Sequence, residues 1–228
     1  MTRLPYIVNS SRPPFFPPCL EPDEHGLVAA GGDLSEAVLR EAYSKGIFPW
    51  FVGPPVMWFS PDPRAILFPR ELHVSRRLAR TLRRRVFSAG FDTDFERVIA
   101  LCAAVPRPGQ DGTWICAAIR EAYTRLYRRG LAHCVAVYRD DELCGGLYGL
   151  SLGRVFFGES MFSLTADASK IALYHLVERL KRAGFLFIDC QVPSAHLESL
   201  GVRTVPRDQF LELLKKGLAF PNDEGVWR

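Results

Sequence analysis

No apolar run in the sequence approaches the ~20 residues that a membrane-spanning helix needs, so an integral membrane protein is not expected. Residues 1–18 carry the early Arg3 but no continuous apolar stretch and no small-residue cleavage site, so they do not read as an export signal. There is no Cys-x-x-Cys pair, and no cysteine stands at metal-ligand spacing from a histidine. The Gly-x-x-x-x-Gly-Lys-Ser/Thr phosphate loop, the Gly-x-Ser-x-Gly elbow and the His-Glu-x-x-His helix are all missing. ATP use, serine-hydrolase chemistry and metal chemistry therefore lack support. Repeats and low-complexity tracts are absent as well.

What is present is the make-up of an ordinary globular chain: 228 residues, 48% hydrophobic and 24% charged, long enough for one large domain or two small ones. Six cysteines (19, 102, 116, 134, 144 and 190) occur, and Cys102, Cys134 and Cys144 lie in apolar runs where a free thiol behaves as a small hydrophobe. With no export signal, a reducing cytoplasmic setting is the simplest expectation. The net charge is only +4, but the arginines are clustered. Arg76, Arg77, Arg80, Arg83, Arg84 and Arg85 fall within ten residues, and Arg120, Arg125, Arg128 and Arg129 form a second group. Each cluster is either a solvated helix face or a phosphate-binding surface.

Proline-rich residues 1–25 are expected to be extended or irregular. Asp33 or Ser35 can cap a helix that carries Val38, Leu39 and Ala42 and stops at Gly46. Strand-like pieces follow at 56–59 and 65–68. A basic helix spans 75–84, a second helix 94–104, and a third 113–129 after a turn-rich link at 106–112. Beyond Gly130 the texture changes to three strands at 133–138, 143–150 and 154–162, an antiparallel meander. A long amphipathic helix to Gly184 leads into the apolar strand 185–192, whose composition suits burial on both faces. A last helix spans 206–218. The fold class is α+β, with a small region at 1–68 and a larger domain at 69–228 whose mixed, mostly antiparallel sheet is flanked by helices.

Two carboxylates are stranded in apolar strands. Glu159 sits in Val-Phe-Phe-Gly-Glu-Ser-Met-Phe and Asp189 in Leu-Phe-Ile-Asp-Cys-Gln-Val. Burial there costs several kcal/mol unless the charge is paired or hydrogen-bonded, so each is either a structural ion pair or part of a site that binds an ammonium group or accepts a proton. Strand alternation would put Gln191 on the same face as Asp189 and turn Cys190 away, which argues against a cysteine nucleophile. Gly158, beside Glu159, suits close approach of the backbone to a ligand.

The meander, long helix and buried strand resemble the GNAT acyltransferase fold, in which the acyl group lies in a cleft between splayed central strands. A more specific resemblance rests on seven motifs in order: Gly-Gly-Asp-Leu-Ser (31–35), Gly-Ile-Phe-Pro-Trp (46–50), Trp-x-Ser-Pro-Asp-Pro-Arg (58–64), Gly-Thr-Trp-Ile (112–115), Gly-Glu-Ser-Met-Phe-Ser (158–163), Ala-Ser-Lys (168–170) and Ile-Asp-Cys-Gln (188–191). Together they resemble the bacterial leucyl/phenylalanyl-tRNA–protein transferase family over residues 17–218.

The resemblance implies transfer of Leu or Phe, and less well Met, from aminoacyl-tRNA to proteins beginning with Arg or Lys, which marks them for N-degron degradation. It implies no cofactor, because the tRNA ester is already activated. Asp189 would orient and polarise Gln191, Gln191 would help deprotonate or position the attacking amine, and Glu159 would hold the donor's α-ammonium group or the acceptor's positive end. Trp50 and Trp114 would enclose the 3′ adenosine, with Tyr43 and Tyr123 lining the same pocket. Leu147, Phe156, Met161, Leu176 and Ile188 would form the donor side-chain pocket, and Arg76, Arg80, Arg83 and Arg84 would grip the acceptor stem. The sequence departs from the family pattern at Leu147, where Met is expected, at Leu176, where Phe is expected, and at Leu164, where Arg often follows Met-Phe-Ser.

Two rivals are weighed against this. An acetyl-CoA enzyme should carry a glycine/arginine pyrophosphate turn before the long helix, and Ser-Leu-Thr-Ala-Asp (163–167) has neither. An RNA-binding adaptor would need the arginines and aromatics but not Asp189 and Gln191. A monomer is expected, since no long exposed apolar stripe is visible.

Overall fold

A computed structural model describes residues 5–13, 15–18, 20–51, 53–106 and 113–227. Two sheets organise it. The smaller has four strands in the order β1-β2-β4-β3, from β1 (Tyr6–Val8), β2 (Leu27–Gly31), β3 (Phe48–Pro49) and β4 (Met57–Phe59). The larger has seven, in the order β11-β5-β10-β9-β8-β7-β6. Its strands are β5 (Arg64–Leu67), β6 (Ser88–Phe91), β7 (Ala132–Arg139), β8 (Glu142–Leu152), β9 (Val155–Ser163), β10 (Phe187–Gln191) and β11 (Arg203–Val205). All neighbours in it are antiparallel except β9 and β10, which are parallel. A parallel pair needs a crossover, and α5 (Ala168–Arg182) supplies it. This is the mixed, mostly antiparallel sheet flanked by helices that the residue pattern predicts.

The main helices also follow that pattern. α1 (Glu36–Ser44) buries Val38, Leu39, Ala42 and Tyr43 and ends before Gly46, where φ is +71° and an added Cβ would run into the Phe210 ring. Ser35 is its N-cap residue, but Asp33 Oδ1 accepts from the Ser35 N–H rather than either side chain closing the helix. α2 (Arg76–Arg84) is capped by the Ser75 hydroxyl, which accepts from the Leu78 N–H, and buries only Leu78. α3 (Phe95–Ala104), α4 (Ala117–Arg128), the short α6 (Ala195–Glu198) and α7 (Arg207–Leu218) complete the set. α4 begins four residues later than expected, and the link at 107–112 lies outside the described residues.

β10 is buried on both faces, as its composition implies. Phe187 joins an apolar cluster with α1, α3, α4 and α7, whereas Ile188 joins the cluster under α5. The first of these clusters runs from Val28 and Trp58 in the small sheet to Leu150 and Phe187 in the large one. The 68/69 boundary falls just after β5, yet β5 hydrogen-bonds with β10 and β11. The larger sheet thus takes a strand from before residue 68. β1, β2, β3, β6 and β11 were not anticipated.

Candidate active site

The two parallel central strands part where the stranded carboxylates lie. Pairing of β9 with β10 runs Phe187–Val155, Ile188–Phe156 and Asp189–Phe157, and ends there. Beyond it, Glu159 is the extra residue of a bulge: β8 pairs Tyr148 with Ser160 and the next residue, Gly149, with Gly158. Gly149 is required, because a Cβ would collide with the Phe157 carbonyl oxygen. At Gly158 a Cβ would make only ordinary contacts, 3.6 Å from Ile188 and 3.7 Å from the Asp189 carbonyl, so protein packing does not itself demand glycine there.

Asp189 is fully buried, and its partner is a residue that sequence reading missed. Arg64 Nε donates to Oδ1 at 2.8 Å and Nη2 to Oδ2 at 2.7 Å, and both side chains have no solvent exposure. The guanidinium carbon also lies over the rings of Phe48 and Phe210, 4.8 and 4.4 Å from their centroids. A signal for Arg64 was present: it opens the apolar strand Arg-Ala-Ile-Leu, just as Asp189 interrupts one.

The Asp189–Gln191 relation differs from strand alternation. The register shifts between them, so that Asp189 faces Ile66 and Gln191 faces Ala65, and Gln191 has a φ of +58°. Ile66 belongs to one apolar cluster and Ala65 to the other, so spacing by two no longer means a shared face. The link is instead through the backbone, where the Gln191 N–H donates to Asp189 Oδ1 at 3.0 Å. Gln191 Nε2 is buried and has no hydrogen-bond partner among the described residues. Cys190 packs against the α5-side cluster, and burial, then the neighbouring Asp189 charge, push its thiol far up, opposing a thiolate role.

Glu159 has neutral partners. Tyr43 donates to Oε1 at 2.7 Å, Tyr123 donates to Oε2 at 3.1 Å, and the two hydroxyls touch each other. Burial, opposed by these two hydrogen bonds, pushes the Glu159 carboxyl up to about 8, with the Asp189 charge adding and the Arg64 charge subtracting. Both tyrosine hydroxyls are raised well above their ordinary range, first by burial and then by the Glu159 charge.

The other expected site residues are distributed as follows. Leu147, Phe156, Leu176 and Ile188 are almost wholly buried in the α5-side cluster, and Met161 packs against it. Leu147 lies opposite Met161 and Ile188 opposite Phe156 across the sheet. Tyr43 and Tyr123 have no exposed area and are engaged with Glu159. Trp50 is 41% exposed, edge-on to Phe59 at 5.6 Å, and Trp114 is partly buried against the larger cluster. Arg76, Arg80, Arg83 and Arg84 are exposed on α2. A concavity of about 610 Å³ lies elsewhere, lined by residues including Asp92, Arg128, His133 and Trp227. No group of metal-ligating side chains occurs among the described residues, and no helix there is long and apolar enough to cross a membrane.

An acyl-transfer centre fits this arrangement: an opened pair of parallel strands, a carboxylate on each side and an unsatisfied amide donor. Residues 66–215 match the leucyl/phenylalanyl-tRNA protein transferase family, and residues 32–62 match that family's N-terminal domain. A leucyl/phenylalanyl-tRNA–protein transferase of Pseudomonas putida (strain W619) is 54% identical over 90% of this chain and 91% of its own length. Its counterpart from Myxococcus xanthus (strain DK1622) is 48% identical over 97% and 95%. A GCN5-related N-acetyltransferase from Kribbella flavida superposes with a TM-score of 0.40 at 10% identity, covering 74% of this chain and 60% of that one. The chain belongs to the leucyl/phenylalanyl-tRNA–protein transferase family and is a transferase.

Proposed function

We propose that this protein transfers Leu or Phe, and less well Met, from aminoacyl-tRNA to proteins whose N-terminal residue is Arg or Lys, marking them for N-degron degradation. Family membership supports aminoacyl transfer from tRNA to protein. The observation that carries the site assignment is the end of β9–β10 pairing at Asp189 and Phe157, with Glu159 on one lip and Gln191 on the other.

In this reading the acceptor's α-amine attacks the ester carbonyl. The new C–N bond forms as the C–O bond to the terminal ribose breaks, and the proton lost by the amine ends on the ribose hydroxyl. Gln191 lacks the basicity to take that proton. Its unpaired Nε2 instead donates to the substrate, positioning it and stabilising developing oxyanion charge. Asp189 fixes the Gln191 backbone. Glu159, held by Tyr43 and Tyr123, receives the donor's ammonium group or the acceptor's positive end. The side chain of Leu or Phe enters among Leu147, Phe156, Met161, Leu176 and Ile188. Trp50 and Trp114 stack on the 3′ adenosine, a contact worth about 1–3 kcal/mol per base. Arg76, Arg80, Arg83 and Arg84 hold acceptor-stem phosphates.

The test is incubation with labelled Leu-tRNA and peptides beginning with Arg, Lys or Ala. Label should pass to the Arg and Lys peptides and spare the Ala peptide. Equal labelling of all three, or none of any, would refute the acceptor assignment.

A further inference from the structure

We infer that Arg64 is a positioning residue for the transfer step, acting through Asp189 to hold the backbone of Gln191 in its left-handed conformation. The inference rests on the assignment of Asp189 and Gln191 to the reaction.

A single oxygen, Asp189 Oδ1, accepts both from Arg64 Nε and from the Gln191 N–H. The guanidinium and the strained residue are thus joined through one atom. Gln191 is not glycine, and a positive φ persists at such a residue only where its surroundings over-determine it. The bidentate fork does this by fixing both carboxylate oxygens, which a point-like ammonium cannot do.

Stability is a poor explanation for the arrangement. Two fully buried charges return little net free energy compared with apolar side chains of similar size, and Arg64 Nη1 is left buried without a hydrogen-bond partner among the described residues. The rings of Phe48 and Phe210, 4.8 and 4.4 Å from the guanidinium carbon, restrict its freedom to turn. Arg64 also reaches Glu159 electrostatically: its charge offsets that of Asp189, which would otherwise push the Glu159 carboxyl higher. The same side chain therefore influences both lips of the opened strand pair.

The experiment compares Arg64→Lys, Arg64→Met, Asp189→Asn and the Arg64→Lys/Asp189→Asn double variant. It measures kcat and KM for Leu-tRNA with an Arg-initiated peptide, the pH profile of kcat/KM, and the unfolding midpoint. Arg64→Lys should remain folded, lose at least about tenfold in kcat and keep its KM for Leu-tRNA, because geometry rather than donor binding is disturbed. The double variant should be no slower than Asp189→Asn alone, since the two residues act as one unit. Arg64→Met should move the alkaline-rising limb of kcat/KM upward in pH with the same peptide, and Arg64→Lys should return it toward the wild type. Wild-type kcat in Arg64→Lys beside an impaired Asp189→Asn would overturn this inference alone. Multiplying losses in the double variant would also overturn it. Wild-type turnover by Asp189→Asn would overturn the catalytic reading on which the inference stands.

Discussion

Asp189 and Glu159 flank the point where the parallel strands β9 and β10 separate, Asp189 in the last pair and Glu159 two residues beyond its partner Phe157, yet they are treated in opposite ways. Asp189 meets a full positive charge in a fork that fixes both of its oxygens. Glu159 meets two phenolic hydroxyls and, among the described residues, no cation within ion-pair distance, and is pushed up to about 8. The difference assigns them different work. A carboxylate already satisfied by a guanidinium can brace its neighbours but has little attraction left for a substrate. One that lacks a cation has its best partner still to come, and an ammonium group would supply it.

The largest break in this contrast is Asp189→Ala. It strands Arg64 as an unpaired buried charge, so urea unfolding should show a loss of about 3–5 kcal/mol, with transfer abolished. Replacing both partners, Arg64→Met with Asp189→Leu, should recover most of that stability without recovering transfer. Glu159→Gln acts in the opposite sense. Because the folded-state value of Glu159 lies above its unfolded value, the folded protein holds the extra proton and loses stability as pH rises through the window from about 4.5 to about 8. The variant should therefore show a flatter decline in urea midpoint between pH 5 and 9, and above pH 8 it should equal or exceed the wild type. Its kcat/KM should fall most above pH 8, where the wild-type carboxylate is available. Tyr123→Phe, which removes one donor to Glu159, should cost about 1 kcal/mol and shift the rising limb of kcat/KM further up in pH.

Much of this was legible in the residues. α1 and α5 followed from apolar spacing and their flanking Ser, Gly and Asp residues, α2 from Ser75 and its run of arginines, and the β7–β9 meander from its charged turn. Asp189 and Glu159 were legible because a charge in an apolar strand demands a partner. β1 and β2 were not, because strands of three and five residues carry too few alternations and are completed only by pairing with distant residues. Arg64 was passed over because it follows Asp-Pro and opens its strand, where a charge ordinarily reaches solvent. The register shift at Gln191 left no local mark, so its φ of +58° and the loss of the shared face could only be seen in the fold.

The smallest expected effect on stability separates the two arginine-rich helices. On α4, Arg125 pairs with Glu121, Arg128 with Glu96, and Arg129, just beyond its end, with Glu36. On α2, Arg77 pairs with Asp167, whereas no acidic partner within ion-pair distance is described for Arg76, Arg80, Arg83 and Arg84. Charges already paired have less to offer phosphate. Replacing Arg76, Arg80 and Arg83 with Ala should leave the unfolding midpoint nearly unchanged, raise KM for Leu-tRNA and flatten its salt dependence. Replacing Arg125 and Arg128 should do neither. Equal salt slopes in the two sets would remove the distinction.

Whether the Asp189 carboxylate drives transfer is tested directly by a single-turnover measurement. Labelled Leu-tRNA and an Arg-initiated peptide are mixed with excess wild type or excess Asp189→Asn, each verified as folded, and the rate of peptide labelling is followed. Loss of a charged hydrogen-bond acceptor that braces Gln191 should slow labelling by at least about tenfold at saturating protein. Equal single-turnover rates for the two proteins would contradict it.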